Sequence, residues 1–158
     1  MSGVPRAAKG RTPPRWVFAV LLCLLAAGVH LNSLANGFAL DDYFVIERNP
    51  QVQGLDRLGN AVTGAYLPTG PARLGMYRPV TSATFAVDWD LWDARPFGFH
   101  LANVLLHAAV TALVFALLLE LGTGLFAAAA AGAIFAVHPV HVEAVANVVG
   151  RAEVLAAL

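Results

Sequence analysis

The sequence predicts an all-α integral membrane protein. It should be a bundle of three spanning helices, or four with its last segment, and its long first loop should lie outside the cytoplasm. Three observations carry this. The 158 residues are 58% hydrophobic and only 13% charged, whereas about a quarter of the residues in a soluble domain are charged. The apolar residues come in blocks approaching the ~20 residues that a spanning helix needs. The first fifteen residues hold Arg6, Lys9, Arg11 and Arg15 with no acid, the kind of segment that stays on the cytoplasmic side.

Each element follows in order. Residues 1–15 read as a basic, proline-rich cytoplasmic tail. "WVFAVLLCLLAAGVHLNSLA" (16–35) is long enough for the first span, with Trp16 at the interface position. A cleaved signal peptide ending at "SLA" is the competing reading. Residues 36–99 form a mixed polar external loop, with a turn signal at Asn36-Gly37. Within it Leu55, Leu58, Val62, Ala65 and Tyr66 keep helical spacing. That predicts a short amphipathic helix, lying on the membrane surface or packed on the protein. "HLANVLLHAAVTALVFALLLEL" (100–121) is the second span. His100, Asn103, His107 and Thr111 recur there at spacings of three and four and form one polar stripe. Such a stripe faces a wet cavity or bonds helix to helix. A tight turn leads to the third apolar run, about 124–138. It is rich in alanine and glycine and is either a short span or a re-entrant segment. Residues 139–158 begin a further helix, because Pro139 sits well at a helix start and poorly inside one.

Ten basic residues balance ten acidic ones, which gives no reason to expect nucleic acid. Cys23 is the only cysteine, so no internal disulfide forms and no metal cluster rests on thiols. One lysine against nine arginines, with abundant alanine, suggests a GC-rich bacterial genome and hence a bacterial inner membrane. The endoplasmic reticulum is the equivalent if the source is eukaryotic.

Counting crossings places two ionisable clusters on one face. Span one exits, span two returns and span three exits again. Asp41 and Asp42 therefore share a side with His138, His141 and Glu143 of "HPVHVE". Adjacent carboxylates raise one another's pKa, so this doublet could supply a general base. It could instead hold a divalent cation or form a solvated turn. "HPVHVE" lacks the HExxH arrangement of a catalytic zinc site. It could bind a lipid-linked phosphate through protonated histidines with Arg151, or cap a helix end. Arg78 in "YRPVT" could clasp a phosphate or pair with Asp88, Asp90 or Asp93.

The ordered set of motifs is more specific than any one of them. It runs DD in "NGFALDDYFVIERNPQV", Y-R-P, F-H-x-x-N-x-x-x-H, then H-P-x-H-x-E and G-R-A-E in "FAVHPVHVEAVANVVGRAE". This order, over residues 16–158, resembles the transmembrane and tetratricopeptide-repeat-containing (TMTC) proteins. These are membrane glycosyltransferases of the GT-C superfold, related to the protein O-mannosyltransferases. The resemblance implies a donor sugar, often mannose, on a polyprenyl or dolichyl phosphate. It implies transfer to a protein Ser or Thr hydroxyl on the extracytoplasmic side, with membrane lipids, the lipid-linked sugar and an acceptor protein as partners. It matches the catalytic carboxylate to Asp41 and Asp42 and puts His138, His141 and Glu143 near the same cavity; with Arg78 and Arg151 from the residue reading, these are the expected substrate-binding residues. It assigns no metal ligands, though it leaves room for a divalent cation beside the doublet. Many relatives carry tryptophan where this chain has Leu40. Relatives also have more spans and then repeats. The chain is therefore expected to be an amino-terminal part, inactive by itself. The competing functions are a non-catalytic anchor or assembly module of a repeat protein, and a transporter piece lined by the polar stripe.

Overall fold

The computed structural model describes residues 13–67 and 76–158. Arg6, Lys9 and Arg11 of the expected basic tail lie outside them. The described residues contain helices and no strand.

Helix α1, Arg15–Val29, starts directly after Pro14, where a missing N–H is harmless. It tightens into a 3-10 turn over Leu31–Ala35. Helix α4, Pro96–Glu120, has proline in its first turn, and Gly122 ends it at φ 84°. Helix α5, Leu125–Val137, follows at once. These three helices pack on one another through small residues. Ala26, Ala108 and Ala136 form one buried contact, and Leu22 sits against Phe115 and Ala128 in another. A Cβ on Gly132 would come within 3.0 Å of Leu22 Cδ1, so glycine sets how closely α5 approaches α1. The Phe18 and Phe126 rings meet edge to face at 5.8 Å, which puts the starts of α1 and α5 together. The two helices run parallel, and α4 packs antiparallel against both.

By length and composition only α4 among the described residues can cross a bilayer alone, with 25 residues and a mean hydropathy of 2.2. The expected spans 16–35 and 124–138 appear as shorter apolar helices of 15 and 13 residues. The outward faces of all three helices are nevertheless greasy: Leu24, Leu117 and Ile134 are 63%, 58% and 64% exposed.

The long loop is more ordered than its sequence suggested. The expected amphipathic segment forms a 3-10 turn, Leu55–Arg57, and helix α2, Leu58–Thr63. It packs on protein, with Ala61 and Tyr66 in a core shared with Phe85, Phe99 and Val148. A second helix, α3, Pro79–Trp92, occupies what read as irregular loop. Threonine, valine, tryptophan and aspartate depress its propensity, and burial of Thr81, Phe85 and Asp88 overrides that deficit. Asp93 and Ala94, both at positive φ, reverse the chain from α3 into α4. The turn foreseen at Asn36-Gly37 falls instead at Leu40-Asp41, with Leu40 at φ 50°.

The bend at His138 is present: its backbone is extended between α5 and helix α6, His141–Ala146. Pro139 lies two residues ahead of the helix rather than at its first position. The expected continuous helix is broken by a 3-10 turn over Val148–Gly150 before α7, Arg151–Ala156.

Candidate functional site

The acid doublet divides in two. Asp41 is exposed, while Asp42 is 1% exposed. Asp42 Oδ2 accepts the N–H of Ala39 at 3.0 Å. Its Oδ1 accepts the N–H of Val149, 107 residues away, at 3.1 Å. Burial pushes the Asp42 carboxyl above its ordinary value. The two N–H donors pull it back, and Asp41 adds a smaller upward push. Asp42 thus fastens the loop to the α6–α7 connection, and the doublet presents Asp41.

Asp41 opens onto a pocket of about 240 Å³ with Arg78, Glu143, Asn147 and Glu153 in its walls. Arg78 lies over the Tyr66 ring at 5.1 Å. The Tyr66 hydroxyl, pushed up to about 12 chiefly by burial, donates to the Val149 carbonyl at 3.5 Å. The fold therefore brings together three of the residues picked out by sequence: Asp41, Arg78 and Glu143. It adds Tyr66, Asn147 and Glu153, which residue-type reasoning passed over. Only the position of Glu153 within "GRAE" marked it.

The histidines stand apart from this pocket. His138 is exposed, and its Nδ1 accepts the N–H of Val140 at 3.2 Å, a cap on the turn leading into α6. His141 is half-buried against Phe135 (4.3 Å between ring centroids) and His107 (5.2 Å). Burial, with His107 and His138 as like charges, pushes its pKa down, which favours the neutral ring. His107 continues the row to His30 at 5.1 Å.

Arg151, expected among the phosphate ligands, is 0% exposed. Its Nη1 meets Asp88 Oδ2 at 2.6 Å and Thr84 Oγ1 at 3.2 Å. Its Nε donates to Asn103 Oδ1 at 2.7 Å and its Nη2 to the Phe99 carbonyl at 2.8 Å. The Phe85 ring lies 4.7 Å from the guanidinium carbon. This arginine clamps α3, α4 and α7 together. Asp88, one of the three aspartates considered as a partner for Arg78, pairs with Arg151 instead.

The polar stripe of α4 is buried along its whole length. Asn103 Nδ2 donates to the carbonyl of Asn147 at 2.9 Å, Thr111 to its own helix at His107, and His107 Nε2 lies 3.2 Å from the Ala136 carbonyl. The Asn103 and His107 contacts are helix-to-helix glue, while the Thr111 bond stays within α4.

Among the described residues no group of three His, Cys, Asp or Glu side chains is placed to share a metal ion. Both Asp42 oxygens accept backbone N–H groups, so Asp42 is held against the backbone and is not presented beside Asp41.

No family model matches the chain, and no solved structure does. Curated proteins do. The chain is 40% identical over 139 residues to the protein O-mannosyl-transferase Tmtc2 of Drosophila melanogaster, covering 85% of this chain and 15% of that protein. It is 39% identical over 140 residues to the protein O-mannosyl-transferase TMTC2 of Homo sapiens, covering 85% and 16%. It is 34% identical over 169 residues to TMTC4 of Mus musculus, covering 92% and 22%. The chain spans about 15% of the length of the first two. All three are animal proteins and lend no support to a bacterial inner membrane. The chain belongs to the family that its ordered motifs resemble, the TMTC protein O-mannosyl-transferases.

Proposed function

We propose that this chain forms the acceptor-activating part of a GT-C membrane glycosyltransferase. The enzyme moves a sugar, mannose by analogy with the names of its relatives, from a polyprenyl or dolichyl phosphate to a protein Ser or Thr hydroxyl. In this reading α1, α4 and α5 cross the membrane and the Asp41 pocket opens on the extracytoplasmic side. The antiparallel order of the three helices, their apolar outer faces and the length of α4 support that placement.

The observation that carries the proposal is the convergence of Asp41, Arg78 and Glu143 on one pocket at the loop end of the bundle. Asp41 takes the proton of the acceptor hydroxyl as its oxygen attacks the sugar C1. The C1–O bond to phosphate breaks, and the phosphate leaves with the electron pair. Arg78 stabilises the departing dianion. Glu143 and Glu153 hold polar groups of the acceptor or sugar. Asp42 and Arg151 act behind this surface by fastening its elements together, and His138 caps the turn into α6. No step passes through a metal.

The test is a chimera of human TMTC2 in which this chain replaces the aligned segment. It should transfer mannose to an acceptor peptide. Asp41→Asn should lower transfer by about 10²-fold or more, as for loss of a general base, with membrane insertion unchanged. Asp42→Asn should lower it less. Full transfer by the Asp41→Asn chimera would end the assignment and favour a non-catalytic anchor.

A further inference from the structure

Val149 serves two sides of the candidate site. Its N–H donates to Asp42 Oδ1 at 3.1 Å, which seats the loop bearing Asp41. Its carbonyl accepts the Tyr66 hydroxyl at 3.5 Å, and the Tyr66 ring lies 5.1 Å from the Arg78 guanidinium carbon. The carboxylate and the guanidinium of the pocket therefore hang on one residue. That residue is firmly held. It lies in the 3-10 turn Val148–Gly150. Asn103 Nδ2 grips the carbonyls of Asn147 and Val148 just ahead of it, at 2.9 and 3.3 Å. Just behind it, Gly150 lies so close to Ala144 that a Cβ would come within 2.6 Å of the Ala144 carbonyl oxygen.

Tyr66 reaches Arg78 by two routes. Its backbone N–H donates to the Met76 carbonyl at 2.9 Å, two residues before the arginine. Its ring then lies under the guanidinium, a cation–π contact. Pro79 keeps the Arg78 backbone out of the helical region, at φ −135° and ψ 66°. The side chain beyond it is long and has many rotamers to lose. Among the described residues the ion pairs are Arg57 with Asp56 and Arg151 with Asp88, so no carboxylate holds Arg78 in place. Tyr66 is itself buried, at 2% exposure, with the Phe85 ring 6.5 Å away.

We infer that Tyr66 is a positioning residue, which holds Arg78 at a fixed place relative to Asp41 by tying it to the residue that seats the acid doublet. This role rests on the glycosyl-transfer reading. There, Asp41 collects a proton on one side of the sugar C1 while Arg78 meets the charge growing on the other, so their spacing must hold as the bond breaks. A loose arginine would still meet the phosphate of the bound substrate, but it would fit the transition state badly. The cost therefore falls on kcat rather than on KM.

The human TMTC2 chimera carrying this chain tests the role. Tyr66→Phe keeps the ring and removes the tie to Val149. It should lower kcat about tenfold and leave KM for donor and acceptor within about twofold. In an Arg78→Gln background the same change should cost about twofold or less, because the arginine that it positions is gone. An unchanged kcat in Tyr66→Phe would overturn the role. So would a tenfold loss that persists in the Arg78→Gln background, which would mark Tyr66 as a support of the fold alone. A second measurement needs no transfer. In the full chain in phosphatidylcholine nanodiscs, the Arg78 Nε–H NMR signal, assigned by its loss in Arg78→Gln, should carry an aromatic ring-current shift. Tyr66→Leu, with helix content unchanged by circular dichroism, should abolish that shift. A signal at the position of a freely hydrated arginine in the unaltered chain would overturn the tether whatever the transfer rate. The two readings fail separately. If Asp41→Asn transfers at the full rate while the ring-current shift is present, the catalytic reading falls and the hold of Tyr66 on Arg78 stands. If Asp41→Asn is inactive and Tyr66→Phe is not slowed, the transferase stands and the positioning role falls.

Discussion

Arg151 carries five N–H donors and cannot shed its charge, so its burial is tolerable only because Asp88, Asn103, Thr84 and the Phe99 carbonyl surround it. Arg151→Met strands Asp88 without a partner, and it should destabilise the fold by about 3–5 kcal/mol, read as a lowered unfolding temperature in detergent. Arg151→Lys should rescue little of this, because a single ammonium cannot reach acceptors on separate elements. Asp42 behaves differently. Its folded pKa is raised, so the folded state keeps this proton to higher pH than the unfolded chain does. The stability from this group is complete below the unfolded value of about 3.9 and is lost as pH rises through the raised folded value. Asp42→Asn should therefore flatten the pH dependence of unfolding in that window, measured as midpoint against pH. The sequence announced the doublet but could not separate its members. The partner that buries Asp42 lies at Val149, and no local pattern encodes that contact. Arg151 was misplaced for the same reason: its acceptors lie 48, 52 and 67 residues away in the chain.

Helices were legible where the sequence is apolar and periodic. The α4 stripe of His100, Asn103, His107 and Thr111 was visible from spacing alone, and the bend at His138 followed from Pro139. Helix α3 was not legible, because its weak formers become helical only when Phe85 and Asp88 are buried. The α6–α7 connection hides another requirement. A Cβ on Gly150 would come within 2.6–2.9 Å of the Ala144 backbone, which cannot move as a side-chain tip can. Gly150→Ala should force the two short helices apart at a cost of about 1–3 kcal/mol. It should also slide Val149 off Asp42. Amide hydrogen exchange should then quicken at Val149 and Ala39 together, while exchange within α1 stays unchanged.

At the scale of the whole molecule, the three apolar helices set which ends face the same way. In a Cys23→Ala background, single cysteines at Asp41 and Val142, both exposed, should react with a membrane-impermeant reagent added from one side. A cysteine at Glu120, at the far end of α4, should react only from the other. Labelling of Asp41 and Val142 from opposite sides would refute the crossing order. The two ends of the candidate site are also far apart in time. The loop bearing Asp41 leaves the ribosome early, but its seat is the N–H of Val149, which is made more than a hundred residues later. The pocket therefore does not exist until Val149 has been made. Until α6 arrives, the acid doublet waits outside the bundle as an open strap. Any chaperone or partner that reaches this loop before α6 meets both carboxylates exposed, a surface that the finished protein never presents again.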